Sequence, residues 1–163
     1  MELIDVSTKT FPSTFAMVDD EDFALLRQFK WTATRPHNVI YAVRNAIVDG
    51  KRTSIRMHRE IVRNARVVDH WDGNGLNNKR DNLRVCTVRQ NSHNTPKTRG
   101  TSFFKGVSWH AGELRWRATI VVCSRQKHLG YFDDEVSAAL AYDAAAMVEF
   151  GSFARLNFEV SCV

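Results

Sequence analysis

The chain has 163 residues, 44% hydrophobic and 25% charged, enough apolar material for a core and too much for a disordered chain. Its formal net charge is +5, unevenly placed: residues 51–127 hold 17 Lys/Arg against 5 Asp/Glu, and the rest holds 6 against 13. No stretch approaches the roughly 20 apolar residues of a bilayer span, and the opening MELIDVSTKTFPST has no signal-like apolar run, so a soluble, intracellular, non-secreted protein is expected.

Three parts are expected in chain order: 1–56, 57–98 and 99–163. In the first, TFAMV reads as a strand, and the acidic cluster after it should cap a helix from Asp22 to about Gln28. VIYAVRNAIVDGKRTSIRMH reads as two strands joined at Asp49-Gly50, a tight-hairpin dipeptide. No chemistry is assigned to this part, although Lys51, Arg52 and Arg56 could add phosphate contacts.

The second part opens with MHREIVRNA, a short helix, and continues as RVVDH (strand), WDGNGLNNKRDN (loop) and LRVCT (strand). Thr87 and Gln90 form a capping-box pattern, so a helix carrying Gln90 and Asn91 should start there. TPKTRGT follows as a basic linker. In the third part FFKGVSWH, LRWRATIVVC and QKHLGYF read as strands. DDEVSAALAYDAAAMVEF reads as a helix capped by Asp133 or Asp134 and ended by Gly151.

Alternation on the middle strand puts Leu114, Trp116, Ala118, Ile120 and Val122 on one face, to pack on Ala138, Ala139 and Ala145. Arg115, Arg117, Thr119 and Val121 take the other face. A small sheet with one covered and one basic face suits a nucleic-acid reader. The basic middle of the chain also suits a polyanion, because each neutralised phosphate releases counterions. The cysteines Cys86, Cys123 and Cys162 are odd in number and lack a CxxC spacing. Neither a disulfide framework nor a structural zinc is expected, and the three are read as buried or reduced thiols.

The chemistry concentrates in Asp69, His70, Asn82 and Asn91, at successive spacings of 1, 12 and 9. Phosphodiester hydrolysis needs an activated water and a cation beside the phosphate. His is the general base whose unperturbed pKa lies near neutrality, and Asp and Asn oxygens suit magnesium. Neighbours on a regular strand point to opposite faces, so for Asp69 and His70 to share a site the strand must end or twist there.

DHWDGNGLNNKRDNLRVCTVRQNSHN, with MHREIV before it, resembles the HNH nuclease motif of phage and homing endonucleases. The resemblance implies a ββα-metal core and makes His70 the general base. It makes Asp69 and Asn91 the ligands of a divalent metal, magnesium or alternatively manganese, with Asn82 holding the loop or the His70 ring. Asn91 stands where the motif has its third letter; His93 competes for that place, and His58 is read as structural.

FKGVSW…RWRATI…HLGYFDDEVSAALAYDAAAMVEFGSFARLNF resembles the Apetala-type DNA-binding domain of plant ethylene-response factors. By that resemblance Ser108, His110, Arg117, Thr119, Val121, Gln126 and His128 face the major groove, with Arg115 on the same face. Lys105, Arg125 and Lys127 would touch phosphates, and Trp109 and Trp116 are read as core. The expected fold class is α+β: a ββα-metal nuclease core, then a three-stranded antiparallel sheet on one helix.

These readings imply a metal-dependent DNA endonuclease acting on double-stranded DNA, as monomer or homodimer, in the cytoplasm of a prokaryotic host or phage-infected cell. A non-catalytic DNA-binding regulator and a basic structural or host-interaction protein are the alternatives.

Overall fold

A computed structural model describes residues 1–36, 38–95 and 100–158; most of the TPKTRGT linker and Cys162 lie outside the described residues. The chain divides into two units, Met1–Asn91 and Ser92–Val163.

In the first unit β1 (Glu2–Asp5) pairs antiparallel with β2 (Phe15–Val18), and α1 (Asp20–Leu26) follows at once. Then β3 (Thr32–Thr34), β4 (Tyr41–Val48) and β5 (Lys51–Arg56) make an antiparallel sheet in that order. The β4–β5 turn sits at Asp49 (φ 49) and Gly50 (φ 74). Both residues are left-handed, as a primed two-residue turn requires, so the Asp-Gly expectation holds. After α2 (Met57–Ile61), β6 (Val68–His70) and β7 (Leu83–Val85) pair antiparallel, and α3 (Val88–His93) closes the segment.

Val6, Val18, Leu26 and Trp31 pack in one cluster with Met57 and Ile61, and Leu76 and Leu83 lean on it. The boundary expected at 56/57 therefore runs through a shared core. The acidic cluster behaves differently from expectation. The helix starts at Asp20, and the side chain of its N-cap Asp19 makes no capping bond. Asp19 instead accepts the Arg80 backbone N–H at 2.7 Å, and buried Asp22 grips the Arg80 guanidinium at 2.7 and 2.8 Å. Asp19 thus exchanges a capping N–H for the Arg80 N–H, and the bidentate, charge-assisted Asp22–Arg80 pair fixes the same arginine. The 71–82 loop is stitched to β2 as well, by Met17 N–H to Leu76 C=O and Asn78 N–H to Met17 C=O, both 2.8 Å.

The second unit has β8 (Val107–His110), β9 (Arg115–Val122) and β10 (Arg125–Phe132), antiparallel with β9 central, and α4 (Glu135–Phe150). Asp134, one of the two expected caps, accepts the Ser137 N–H at 2.7 Å. Val107 and Ala118 bury against Ala138 and Ala139, and Ile120 against Tyr142 and Ala146. Leu114 departs from its expected core place: it lies in the β8–β9 turn at φ 52 and is 72% exposed. Of the cysteines read as buried or reduced, Cys123 is a free, exposed thiol in the β9–β10 turn at φ 50.

One signature of the helix explains itself. Asp143, buried on α4, accepts the backbone N–H groups of Asn157 and Phe158 at 2.9–3.0 Å. Asn157 in turn accepts the Lys105 N–H at 2.6 Å and donates to the Lys105 C=O at 3.1 Å. The AYD and LNF segments thus tie the chain after the helix to the entry of β8.

The resulting fold is α+β, built of small antiparallel sheets and few helices. Gly106 is its tightest point: at φ +79, an added Cβ would lie 1.9 Å from the Tyr142 ring. Gly106→Ala is expected to destabilise the second unit by about 2–4 kcal/mol. Thermal unfolding of the variant beside Gly50→Ala, whose Cβ would meet nothing within 4 Å, checks this.

Candidate functional site

All three residues of β6 are buried. Asp69 stands opposite Arg84 in the register and is ion-paired with its guanidinium. His70, opposite Leu83, is the last residue of the strand, so Asp69 and His70 both lie within the paired ladder, which ends directly after them. Its ring meets His58 at 4.8 Å between centroids and Tyr41 at 5.7 Å. Burial pushes the His70 imidazole below its ordinary pKa, and the Asn78 side chain and the Asp72 and Asp69 carboxylates act against that. His58, read from sequence as structural, is buried beside this ring. Burial, with His70, Arg56 and Arg59 nearby, lowers its pKa to about 3.

The loop after His70 is closed by Asn82, which is 4% exposed. Its Oδ1 accepts the Asp72 N–H at 3.0 Å, and its Nδ2 donates to Asp72 Oδ1 at 3.0 Å and to the Asn77 C=O at 2.8 Å. The Asn82 C=O accepts the Trp71 N–H at 2.9 Å. Of the two supporting tasks expected of Asn82, these bonds perform loop closure.

Asn91 is exposed on α3, whose start has the expected reciprocal box: Thr87 N–H to Gln90 Oε1 at 2.9 Å and Gln90 N–H to Thr87 Oγ1 at 3.2 Å. Burial pushes the Cys86 thiol up, the Asp69 carboxylate adds to it, and Arg84 and the backbone N–H groups of Asn91 and Asp69 act the other way. His93, the competitor of Asn91, stacks on Phe150 with centroids 3.7 Å apart.

In the second unit the β8–β9 register sets Ser108 opposite Arg117 and His110 opposite Arg115, and β9–β10 pairing sets Thr119 opposite His128 and Val121 opposite Gln126. These share the face away from α4, as expected. Arg117 approaches Ser108 Oγ at 3.5 Å, and Arg115 pairs with Asp133 at 2.7 Å. His110 Nδ1 accepts the Glu113 N–H at 3.2 Å. Arg125, Gln126 and His128 are exposed.

Two expected phosphate contacts point elsewhere. The Lys105 ammonium donates to the carbonyls of His93 and Thr95, and burial lowers its pKa to about 8. Lys127 is opposite Ile120, on the α4 side, and pairs with Glu149 at 2.6 Å. Trp109, read as core, is 40% exposed, with its ring edge-on to Trp116 at 5.3 Å.

Tyr131 was missing from the expected face. A bulge between His128 and Gly130 shifts the register, so Tyr131 stands opposite Arg117, its ring 4.6 Å from His128 and 5.2 Å from His110. The signal was Gly130, a glycine inside a strand pattern.

Protein 3.8 of Escherichia phage T7 is 44% identical over 92 residues, covering 55% of this chain and 74% of that protein. The chain belongs to the protein 3.8 family. It is also 28% identical over 157 residues to an uncharacterized HNH endonuclease of Acanthamoeba polyphaga mimivirus, covering 88% of this chain and 75% of that protein. APETALA2-like protein 2 of Oryza sativa is 36% identical over 74 residues, 45% of this chain but 17% of the plant protein. No family model matches.

The protein 3.8 family member thus shares features with a viral nuclease and with plant APETALA2-like proteins. The expected ligands Asp69 and Asn91 carry a carboxylate and an amide, oxygen donors of the kind magnesium takes. Among the described residues no group of three or more His, Cys, Asp or Glu could hold a metal. A cation on Asp69 would share the carboxylate with Arg84. No helix among the described residues is long and apolar enough to cross a membrane.

The buried His58 generates an acid-stability prediction. Its folded pKa of about 3 lies below the 6.5 of an unfolded His, so between these values the unfolded chain binds the extra proton. The stability contribution is therefore present above pH 6.5 and is lost as pH falls toward 3. The loss expected is on the order of 2–4 kcal/mol, and denaturant unfolding from pH 7 to 4 should show a flatter dependence for His58→Gln.

Proposed function

We propose that this protein is a metal-dependent DNA endonuclease of the HNH type, with a ββα-metal core at residues 67–93. Its second unit docks duplex DNA through the β8–β10 face. The observation that carries the reading is the β6–β7 ladder that ends on buried His70 and holds buried Asp69 against Arg84, with α3, the helix of Asn91, following β7 directly. The likeness to a viral HNH endonuclease and to APETALA2-like proteins supports it.

His70 acts as general base. Burial disfavours its charged form, which keeps the imidazole neutral and able to take a proton from water. Asp69 and Asn91 would hold the divalent ion, magnesium or manganese, which when bound supplies charge stabilisation at the phosphate and the 3′-oxygen leaving group. Arg84, beside Asp69, adds a fixed positive charge to the same place. Asn82 holds Asp72 and the loop so that His70 keeps its position at the strand end. The products would be a 5′-phosphate and a 3′-hydroxyl. One such site per chain makes a monomer a nicking enzyme, and a double-strand break needs a homodimer or two events.

On the docking face, Arg117 with Ser108, Thr119, Gln126, His110 and His128 offers donors and acceptors suited to base edges. Arg115 suits a phosphate there, and Arg125, opposite Val122 on the α4 side, would reach one only from the sheet's edge. One observation favours a second reading, a non-catalytic DNA-binding regulator: Asp69 is already ion-paired to Arg84.

Supercoiled plasmid carrying DNA from the genome that encodes the protein separates the two. Nicking that requires magnesium, stops with chelator and falls at least about 100-fold in His70→Ala supports the nuclease. Binding without cutting under magnesium or manganese would favour the regulator.

A further inference from the structure

Trp71 is the residue next to the proposed base, and it is 62% exposed. Of the four tryptophans, Trp31 is 3% and Trp109 40% exposed and Trp116 is partly buried, so Trp71 is the most open. A large aromatic left in water is a common mark of a contact surface. Its mount is firm. The Trp71 N–H extends the β6–β7 ladder to the Asn82 carbonyl at 2.9 Å, and the next N–H, of Asp72, bonds to Asn82 Oδ1 at 3.0 Å. The ring is thus carried by a clamped backbone rather than by a loose loop tip.

Its place in the chain adds the setting. Trp71 follows His70 directly, and its ladder bond to Asn82 stands two steps beyond the Asp69–Arg84 pair. The strand end thus carries a guanidinium–carboxylate pair, an imidazole and an exposed apolar ring within three successive residues and their partner strand. The ligand that presents an anion beside a flat apolar surface is a nucleotide: its phosphate suits Arg84 and a metal on Asp69, and its sugar or base suits the indole.

We infer that Trp71 is a substrate contact, packing on the nucleotide that borders the scissile phosphate in duplex DNA and holding that phosphate in register with Asp69 and His70. The inference rests on the nuclease reading of the first unit, and it adds to that reading a residue that sets the position of the cut strand. The contact acts on a substrate already docked, so it governs the cutting step more than overall affinity.

Two measurements on the full chain test it. The first is ultraviolet crosslinking to a 5-iododeoxyuridine-substituted duplex amplified from the genome that encodes the protein, with chelator present to prevent cutting. Peptide mapping is expected to find the Trp71 peptide among the crosslinked sites; crosslinks confined to other peptides, or none, overturn the contact. The second compares nicking by wild type, Trp71→Phe and Trp71→Ala at saturating DNA. Trp71→Ala is expected to lose about tenfold or more in kcat, with DNA affinity in chelator within about threefold of wild type. Trp71→Phe should keep most of the rate. A Trp71→Ala variant that cuts at the wild-type rate overturns the inference. Wild type that does not nick under magnesium or manganese sinks the nuclease reading alone, because the crosslink still decides whether Trp71 meets DNA.

Discussion

One buried carboxamide holds the candidate site together. Asn82 makes three side-chain hydrogen bonds across the 72–82 loop and a fourth through its carbonyl, all between 2.8 and 3.0 Å. Twelve residues of Gly- and Asn-rich loop would otherwise leave the end of β6 undefined. A carboxamide can do this because it donates and accepts at once, which neither a carboxylate nor an ammonium can. Asp72 extends the closure by accepting from Asn74 N–H and Asn77 Nδ2, both at 2.8 Å. It fixes the backbone of Trp71 and Asp72, the two residues that follow His70.

The N-terminal residues take a structural part in that site. Asp19 and Asp22 hold Arg80, and Met17 holds Leu76 and Asn78, so β2 and the start of α1 form one wall of the loop. Tyr41 of β4 and His58 of α2 form the packing against which the His70 ring rests. Gly75 is needed here for space: a Cβ would come within 2.5 Å of the Ile40 carbonyl and the Tyr41 ring.

Much of this was legible in the sequence where local chemistry decides. The Asp-Gly turn, the Thr87–Gln90 box, the Asp134 cap and the alternation on β9 each rest on contacts within a few residues, and the structure has them. What could not be read were choices made by distant partners. The acidic run at Asp19–Asp22 looked like a cap, and became the seat of an arginine some sixty positions away. Lys105 and Lys127 looked like phosphate contacts by charge, but a carbonyl pair and Glu149 claim them. Tyr131 was left off the docking face because one bulge reverses strand parity. At the candidate site, residue types and spacing named Asp69, His70 and Asn91, while the pairing of Asp69 with Arg84 and the packing of His70 on His58 and Tyr41 needed three dimensions.

The central claim is that Asp69 and Asn91 hold one hard cation beside His70. Crystals grown with manganese and a DNA duplex, measured for anomalous scattering at the manganese edge, test it most directly. The account predicts a single strong peak within about 2.0–2.4 Å of an Asp69 carboxylate oxygen and the Asn91 side-chain oxygen. Manganese bound elsewhere, with Arg84 still closing on Asp69, would contradict it.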